Sequence, residues 1–236
     1  MTELRLPAAR VIFSDRRGGV SEGPYESLNL GVLTDDDPAN VVENRRRLAG
    51  RLGVEPANVA MGWQVHGAEL AEWDAPPADP GYARPGAGLE RVDGHVTSLP
   101  GLGLLVLAAD CYPLALSDGT SVAMVHCGWR GLAAGIVGRA VERLRGTVAA
   151  AVGPGIGACC YEVGPEVLGA FSDIPGVASG RMLDLRAILA VKLAAAGVSD
   201  VQQVEHCTSC RADLYFSHRR DHGLTGRQGG LIALDA

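Results

Sequence analysis

A chain of 236 residues, 47% hydrophobic and 20% charged, is long enough to bury a core as one large domain or two small ones. A net charge of −6 argues against a nucleic-acid groove, and the longest apolar run, residues 102–109, is too short to cross a bilayer. The opening MTELRLP lacks the basic and apolar regions of a signal peptide, so the six cysteines read as reduced thiols of a cytoplasmic protein, not as a disulfide framework.

In chain order, residues 11–31 begin as a short apolar strand and continue as a turn-rich segment broken at Gly18, Gly19, Gly23 and Pro24. Asp37 and Pro38 mark a helix start; Val41, Val42, Arg45 and Leu48 give its amphipathic face, and Gly50 or Gly53 its end. Residues 61–65 read as a strand that delivers His66 and Gly67. Residues 74–91, rich in Pro, Ala and Gly and without an apolar period, read as a mobile loop. A buried-type run, 102–109, leads to Asp110 and Cys111, and a second apolar strand, 122–125, ends in His126.

Residues 131–144 are helical by pattern, with Arg139, Glu142 and Arg143 on the outer side. Residues 148–157 form a strand that runs into a glycine-rich turn, Pro165 opens a helix over 165–171, and 183–196 is an amphipathic helix stopped by Gly197. After a strand near 201–205, the stretch 207–230 is polar and rich in His and Arg. No repeat is visible, and strands and helices mix without a βαβ rhythm. The expected class is therefore α+β or mixed α/β and not a doubly wound sheet.

Three chemically able side chains, His66, Cys111 and His126, each follow an apolar run and adjoin Gly, Asp or Pro. Singly, each histidine is more often a hydrogen-bonded structural residue, and Cys111 a small buried hydrophobe. Jointly, two imidazoles and a thiolate make a ligand set for zinc that leaves one position for water or substrate; copper would accept the same set. Asp93 and Asp110 are candidates for orienting a ligand or moving a proton, because metal-bound imidazoles need an acceptor behind them.

Other features carry weaker signals. Cys127, next to His126, points the opposite way along an extended chain and reads as core. The glycine turn at 153–157 could present amides to an anion, although a structural turn is the commoner reading. Cys207 and Cys210 form a CxxC without a second CxxC at zinc-ribbon spacing; a redox pair or half of a metal site are open readings, but a strand-end turn outside the active centre is the commoner one. Arg17, Arg130, Arg219, Arg220 and Arg227 lie in glycine-rich or polar loops, where guanidinium groups suit phosphate or carboxylate.

The stretches DRRGGVSEGPYESLNLG (15–31), DDPANVVENRRRL (36–48), QVHG (64–67), DGHVT (93–97) and ADCYPL (109–114) run in order along the chain. HCGWRG (126–131), GPGIGACCYEVGPEV (153–167) and SHRRDHGLTGRQGG (217–230) follow them. Together they resemble the laccase-domain family, also called polyphenol oxidoreductase-like or peptidoglycan-editing-factor proteins and commonly described as purine nucleoside phosphorylases. Cys127 and His218 depart from the residues common there.

The resemblance implies one α+β catalytic domain over 1–236, with β-sheets layered against each other and helices outside (αββα-like). It implies a catalytic zinc, with copper as the alternative, held by His66, Cys111 and His126. The substrate contacts expected are Arg17, Asn29, Arg130 and Arg220, with Asp93 and Asp110 in support. The implied activity is phosphorolysis of adenosine, inosine, guanosine and methylthioadenosine, with adenosine deamination in addition; the partners are nucleosides and phosphate, with neither nucleic acid nor membrane. Two other activities compete: an amidase that removes serine from a cell-wall precursor, and a copper phenol oxidase. Six histidines with no HxH pair count against the oxidase.

Overall fold

The apolar runs of this chain become strands buried on both faces, and that double burial sets the layering. The computed structural model describes residues 1–79, 81–82 and 89–235. Its first half contains β1 (Thr2–Leu6), β2 (Ala9–Phe13), α1 (Pro38–Leu52), β3 (Val59–Ala60), β4 (Leu70–Trp73), β5 (Gly94–Thr97), β6 (Gly103–Ala108) and β7 (Tyr112–Ser117). Then follow β8 (Val122–Cys127), α2 (Trp129–Ala133), α3 (Ile136–Val141), β9 (Ala149–Val152), α4 (Pro165–Gly169), β10 (Ala178–Ser179), β11 (Met182–Leu183), α5 (Leu185–Ala195), β12 (Asp200–Gln203) and β13 (Gln228–Leu234).

Two mixed sheets form, a five-stranded one in the order β1-β2-β13-β6-β3 and a six-stranded one in the order β12-β9-β7-β8-β5-β4; β10 and β11 make a small ribbon. Side-chain alternation assigns successive residues of a strand to opposite layers. Val11, Leu104, Val106 and Ile232 of the first sheet meet Ala115, Met124 and Ala151 of the second. The other face of the six-stranded sheet, with Leu114, Leu116 and Val125, packs on Leu132, Ile188 and Leu189 from the helices. The other face of the five-stranded sheet, with Leu105 and Leu231, packs on Leu48 and Leu52 of α1. The fold is thus a single α+β domain of layered mixed sheets with helices outside, as expected. No helix among the described residues is long and apolar enough to cross a membrane.

α1 forms where its punctuation directs: the Asp37 carboxylate accepts from the Ala39 amide at 2.8 Å, Pro38 opens the first turn, and Gly53 closes the helix with φ 76°. Its buried face keeps Val41, Arg45 and Leu48 as expected, but Val42 faces solvent and Asn44 turns inward. Arg45 Nε donates there to the Leu30 carbonyl and Nη1 to the carbonyls of Gly81 and Tyr82, while its buried Nη2 has no partner among the described residues. Tyr82, fully buried, donates back to the Arg45 carbonyl, so this part of the expected 74–91 loop is anchored; Pro80 and residues 83–88 lie outside the described residues.

Four further expectations change. Residues 61–65 are not a strand: the Trp63 amide donates to the Glu90 carbonyl and the Val65 amide to the Asp93 carboxylate instead of to a neighbouring strand. The 131–144 helix is two short ones, broken at Gly135, whose φ of 84° no helix contains. β7 was not expected, since Pro113 argues against a central strand; the proline is accommodated because the ladder to β9 begins one residue later, at Leu114. The polar stretch 207–230 ends inside β13, whose residues 228–234 are all buried at the centre of their sheet.

The turn between β7 and β8 yields a first prediction. The half-buried Asp118 carboxylate accepts from the amides of Thr120, Ser121, Arg145 and Gly146. Burial raises its pKa, but those donors outweigh it and hold it at about 2, below the ordinary 3.8. A depressed carboxylate contributes stability above its unfolded pKa and loses it as pH falls from about 4 towards 2. Asp118→Ala is expected to cost about 1 kcal/mol at neutral pH after solvent screening, with the difference from wild type vanishing near pH 2. Urea unfolding at the two pH values checks both statements.

Candidate metal centre

The chain crosses from the five-stranded to the six-stranded sheet between β6 and β7, and Cys111 sits in that crossing. β8 lies beside β7 and supplies His126, opposite Pro113, while the 61–67 segment brings His66 from a third direction. One donor atom from each of His66, Cys111 and His126 lies within 4.8 Å of the others. The two imidazole rings stand edge to face with centroids 4.9 Å apart. His126 is buried, Cys111 half-buried and His66 exposed, so the group is closed on the core side and open towards solvent.

Asp93 builds this arrangement. Its buried carboxylate accepts from the amides of Val65 (3.0 Å), His66 (2.9 Å) and Gly67 (2.7 Å), which fixes the segment that carries His66. It also lies 2.9 Å from His126 Nδ1, so one side chain sets both imidazoles. That contact leaves His126 Nε2 as the nitrogen facing the group, in the arrangement usual for metal-bound histidine. Gln64 completes the support: its side-chain amide exchanges two hydrogen bonds of 2.7 Å with the main chain of Leu107 in β6. Both crossing points are conformationally unusual, with φ of 61° at His66 and 97° at Asp110.

Gly128 shows how tightly the backbone closes on the group. A Cβ there would lie 3.1 Å from Cys111 Sγ and 3.1 Å from His66 Cδ2, so no side chain fits without moving a donor. This is the reason for glycine at the start of the Gly-Trp-Arg-Gly turn.

The donors are electrically matched. Burial raises the Cys111 thiol, but the facing His126 and His66 outweigh it and bring it down to about 6. Burial likewise opposes charge on His126, yet the Cys111 sulfur and the Asp93 carboxylate raise it to about 9. A thiolate against imidazoles is the donor character that a divalent transition metal takes up in exchange for protons. Two nitrogens and one sulfur, three protein donors with an open side, fit a zinc or copper ion of the catalytic type; the set does not choose between them.

Of the other expected residues, Asp110 adjoins the group, accepting from the Thr208 hydroxyl at 2.6 Å and the Arg219 amide at 2.7 Å. Arg130 is exposed at the start of α2 and stacks on Trp129, and its charge reaches Tyr161. Asn29 is fully buried, and its amide is used on Gly31, Thr34, Asp36 and Arg227, which makes it a builder of the 29–36 loop. Arg17 is paired with Asp15 and lines a surface depression with Met1 and Arg47. Arg220 spends its donors on Asp221 and on the carbonyls of Thr208 and Tyr215. Both arginines are paired with a neighbouring carboxylate.

Two further residues lie within electrostatic reach of the group. Arg227 is half-buried within electrostatic reach of Asp110 and Cys111, whose negative charges oppose the lowering of its pKa by burial. Tyr161 carries the Arg219 guanidinium over its ring at 5.2 Å, and its hydroxyl is pushed up to about 12 by burial and the Cys111 charge. The cue for Arg227 was its place in a glycine-rich loop; Tyr161 gave none. His95, in the DGHVT stretch, is a core residue: Trp73 donates to its Nδ1, and burial holds its pKa at about 4.

Residues 10–235 match the family model described as multi-copper polyphenol oxidoreductase laccase. The chain belongs to this family. A Streptomyces coelicolor relative named purine nucleoside phosphorylase SCO2081 is 41% identical over 94% of this chain and 94% of its own length. A Streptomyces griseus relative, purine nucleoside phosphorylase ORF3, is 40% identical over 97% and 95%. The crystal structure of YlmD from Geobacillus stearothermophilus superposes with a TM-score of 0.88 at 34% identity, covering 97% of this chain and 93% of that one. The family's description names copper, whereas the relatives' names describe phosphorylases; the donor chemistry of the site bears on which applies here.

Proposed function

We propose that this chain is a zinc-dependent purine nucleoside phosphorylase, with His66, Cys111 and His126 as its metal ligands. The observation that carries the proposal is the three-donor group on the Asp93 frame, open on the His66 side, with Arg227 within electrostatic reach of Cys111. A zinc ion bound there would supply a Lewis acid. The substrates are adenosine, inosine, guanosine and methylthioadenosine, and the same centre supports deamination of adenosine. The relatives' names support the phosphorylase reading.

In phosphorolysis a phosphate oxygen forms a bond to ribose C1′ as the C1′–N9 bond breaks. The base leaves with the bonding electrons and takes up a proton, and ribose 1-phosphate remains. The chain's own residues serve this by position: Arg130 and Arg227 hold the phosphate dianion by charge, and Asp93 keeps both imidazoles in place. Asp110, tied to Thr208 and Arg219, fixes the crossing that carries Cys111.

A multicopper oxidase needs several copper sites. Among the described residues only one ligand group contains histidine, and it has two of them, which favours the phosphorylase. The experiment follows the bases released from inosine and adenosine by metal-loaded protein, with and without phosphate. Free hypoxanthine and adenine with matching ribose 1-phosphate, formed only with phosphate, are expected; inosine formed from adenosine without phosphate reports the deaminase. Full metal loading with no base released would sink the phosphorylase reading.

A further inference from the structure

A second group of donors lies beside the first and takes no part in the proposed chemistry. Cys159, Cys160, Cys207 and Cys210 each offer a sulfur, and all four sulfurs lie within 4.8 Å of one another. Cys210 Sγ is 3.5 Å from Cys159 Sγ and 3.4 Å from Cys160 Sγ. The spacing separates the alternatives. A disulfide needs sulfurs about 2.05 Å apart. A tetrahedral ion with metal–sulfur bonds of about 2.3 Å sets its four sulfurs about 3.8 Å apart, close to what is found. Iron–sulfur clusters, which place several irons between their cysteines, need a wider cage.

The backbone is shaped for the same end. The Gly157 amide donates to Cys207 Sγ at 3.2 Å, and a Cβ on Gly157 would lie 3.3 Å from Cys159 Sγ and from Cys207 Cβ. Gly155 and Cys207 form a parallel bridge, so the two cysteine-bearing turns approach in register. Arg220 donates to the carbonyls of Thr208 and Ser209, and Arg186 to that of His206, so two guanidinium groups brace the 206–209 backbone.

We infer that Cys159, Cys160, Cys207 and Cys210 bind one further divalent ion of the soft, zinc-like class in a closed tetrathiolate site. Four protein donors leave no position for substrate, so the role is structural. The ion staples the glycine-rich 153–161 turn to the 207–210 turn. Thr208, inside the second turn, donates to Asp110, whose neighbour Cys111 belongs to the open centre. The staple therefore holds the wall of the first centre without touching what binds there. This inference does not depend on the phosphorylase reading, because its readouts are metal content and spectrum.

The test uses full-length protein expressed with zinc, freed of loose metal by a weak chelator, and analysed for zinc per chain by mass spectrometry. Wild type is expected to hold two equivalents, Cys111→Ala one, and the double variant Cys207→Ser with Cys210→Ser one. Cobalt titrated into metal-free Cys111→Ala protein is expected to give the intense sulfur-to-cobalt charge-transfer band of a tetrathiolate site, saturating at one equivalent. Where the double variant fails to fold, this titration decides alone. A Cys111→Ala protein that takes up no cobalt, a double variant with unchanged zinc, acid-labile sulfide, or disulfides among the four cysteines in the isolated protein would each overturn the inference.

Discussion

Cys111→Ala is expected to empty the open centre and to lower phosphate-dependent base release by about three orders of magnitude, while the protein stays folded. Cys111 gives the group its only sulfur and the charge that opposes the two imidazoles. Two histidines alone, one of them exposed, hold a divalent ion far more weakly than the three-donor set. Removing a preorganised electrophilic group acts on the scale of hundreds- to thousands-fold. The fold has little stake in the side chain: it is half-buried at the sheet crossing, where an alanine Cβ occupies the same position. Equal far-UV spectra, the loss of one zinc equivalent and the loss of base release, measured on one preparation, test this. Retained activity would move the chemistry away from the group.

Asp93→Asn is expected to damage stability and metal affinity together. The wild-type carboxylate accepts from three consecutive amides and from His126 Nδ1. An asparagine offers one acceptor oxygen, and its NH2 faces groups that are themselves donors, so at least two buried donors lose their partner. At about 1–3 kcal/mol for each buried group left unsatisfied, a loss of about 2–4 kcal/mol is expected. Metal affinity falls about 10- to 100-fold, the range found when the acceptor behind a ligating histidine is removed. Zinc competition with a chromophoric chelator and urea unfolding measure the two effects separately. A variant that is destabilised yet binds zinc normally would assign Asp93 to the fold alone.

His66, Cys111 and His126 were legible because each follows an apolar run, and such runs end where rigid backbone gives way to loop. α1 was legible from Asp37, Pro38 and Gly53, residues whose backbone preferences act locally. The central strands were harder. Pro113 hid β7, and the glycines near the start of β13 read as part of a polar stretch, although Gly229 and Gly230 are there so that Leu105, Pro113 and Met124 can pack against the bare backbone. That requirement comes from other strands and leaves no mark in neighbouring sequence.

The arginines show the same limit. Arg17, Arg220 and Arg227 all sit in loops of similar composition. Only tertiary pairing distinguishes the first two, engaged by Asp15 and Asp221, from Arg227, which bonds the carbonyls of Thr225 and Gly226 within electrostatic reach of Cys111. The four-cysteine group escaped for a related reason. A search for a second CxxC passes over an adjacent pair, and Cys160 and Cys210 are 50 residues apart until a parallel bridge joins their turns.

Diffraction data from zinc-grown crystals, collected on both sides of the zinc absorption edge, test the central claim most directly. The account predicts an anomalous peak within bonding distance of His66, Cys111 and His126 Nε2, with no fourth protein side chain completing the shell. Full zinc content with no peak at that position, or a peak enclosed by four protein donors, would contradict it.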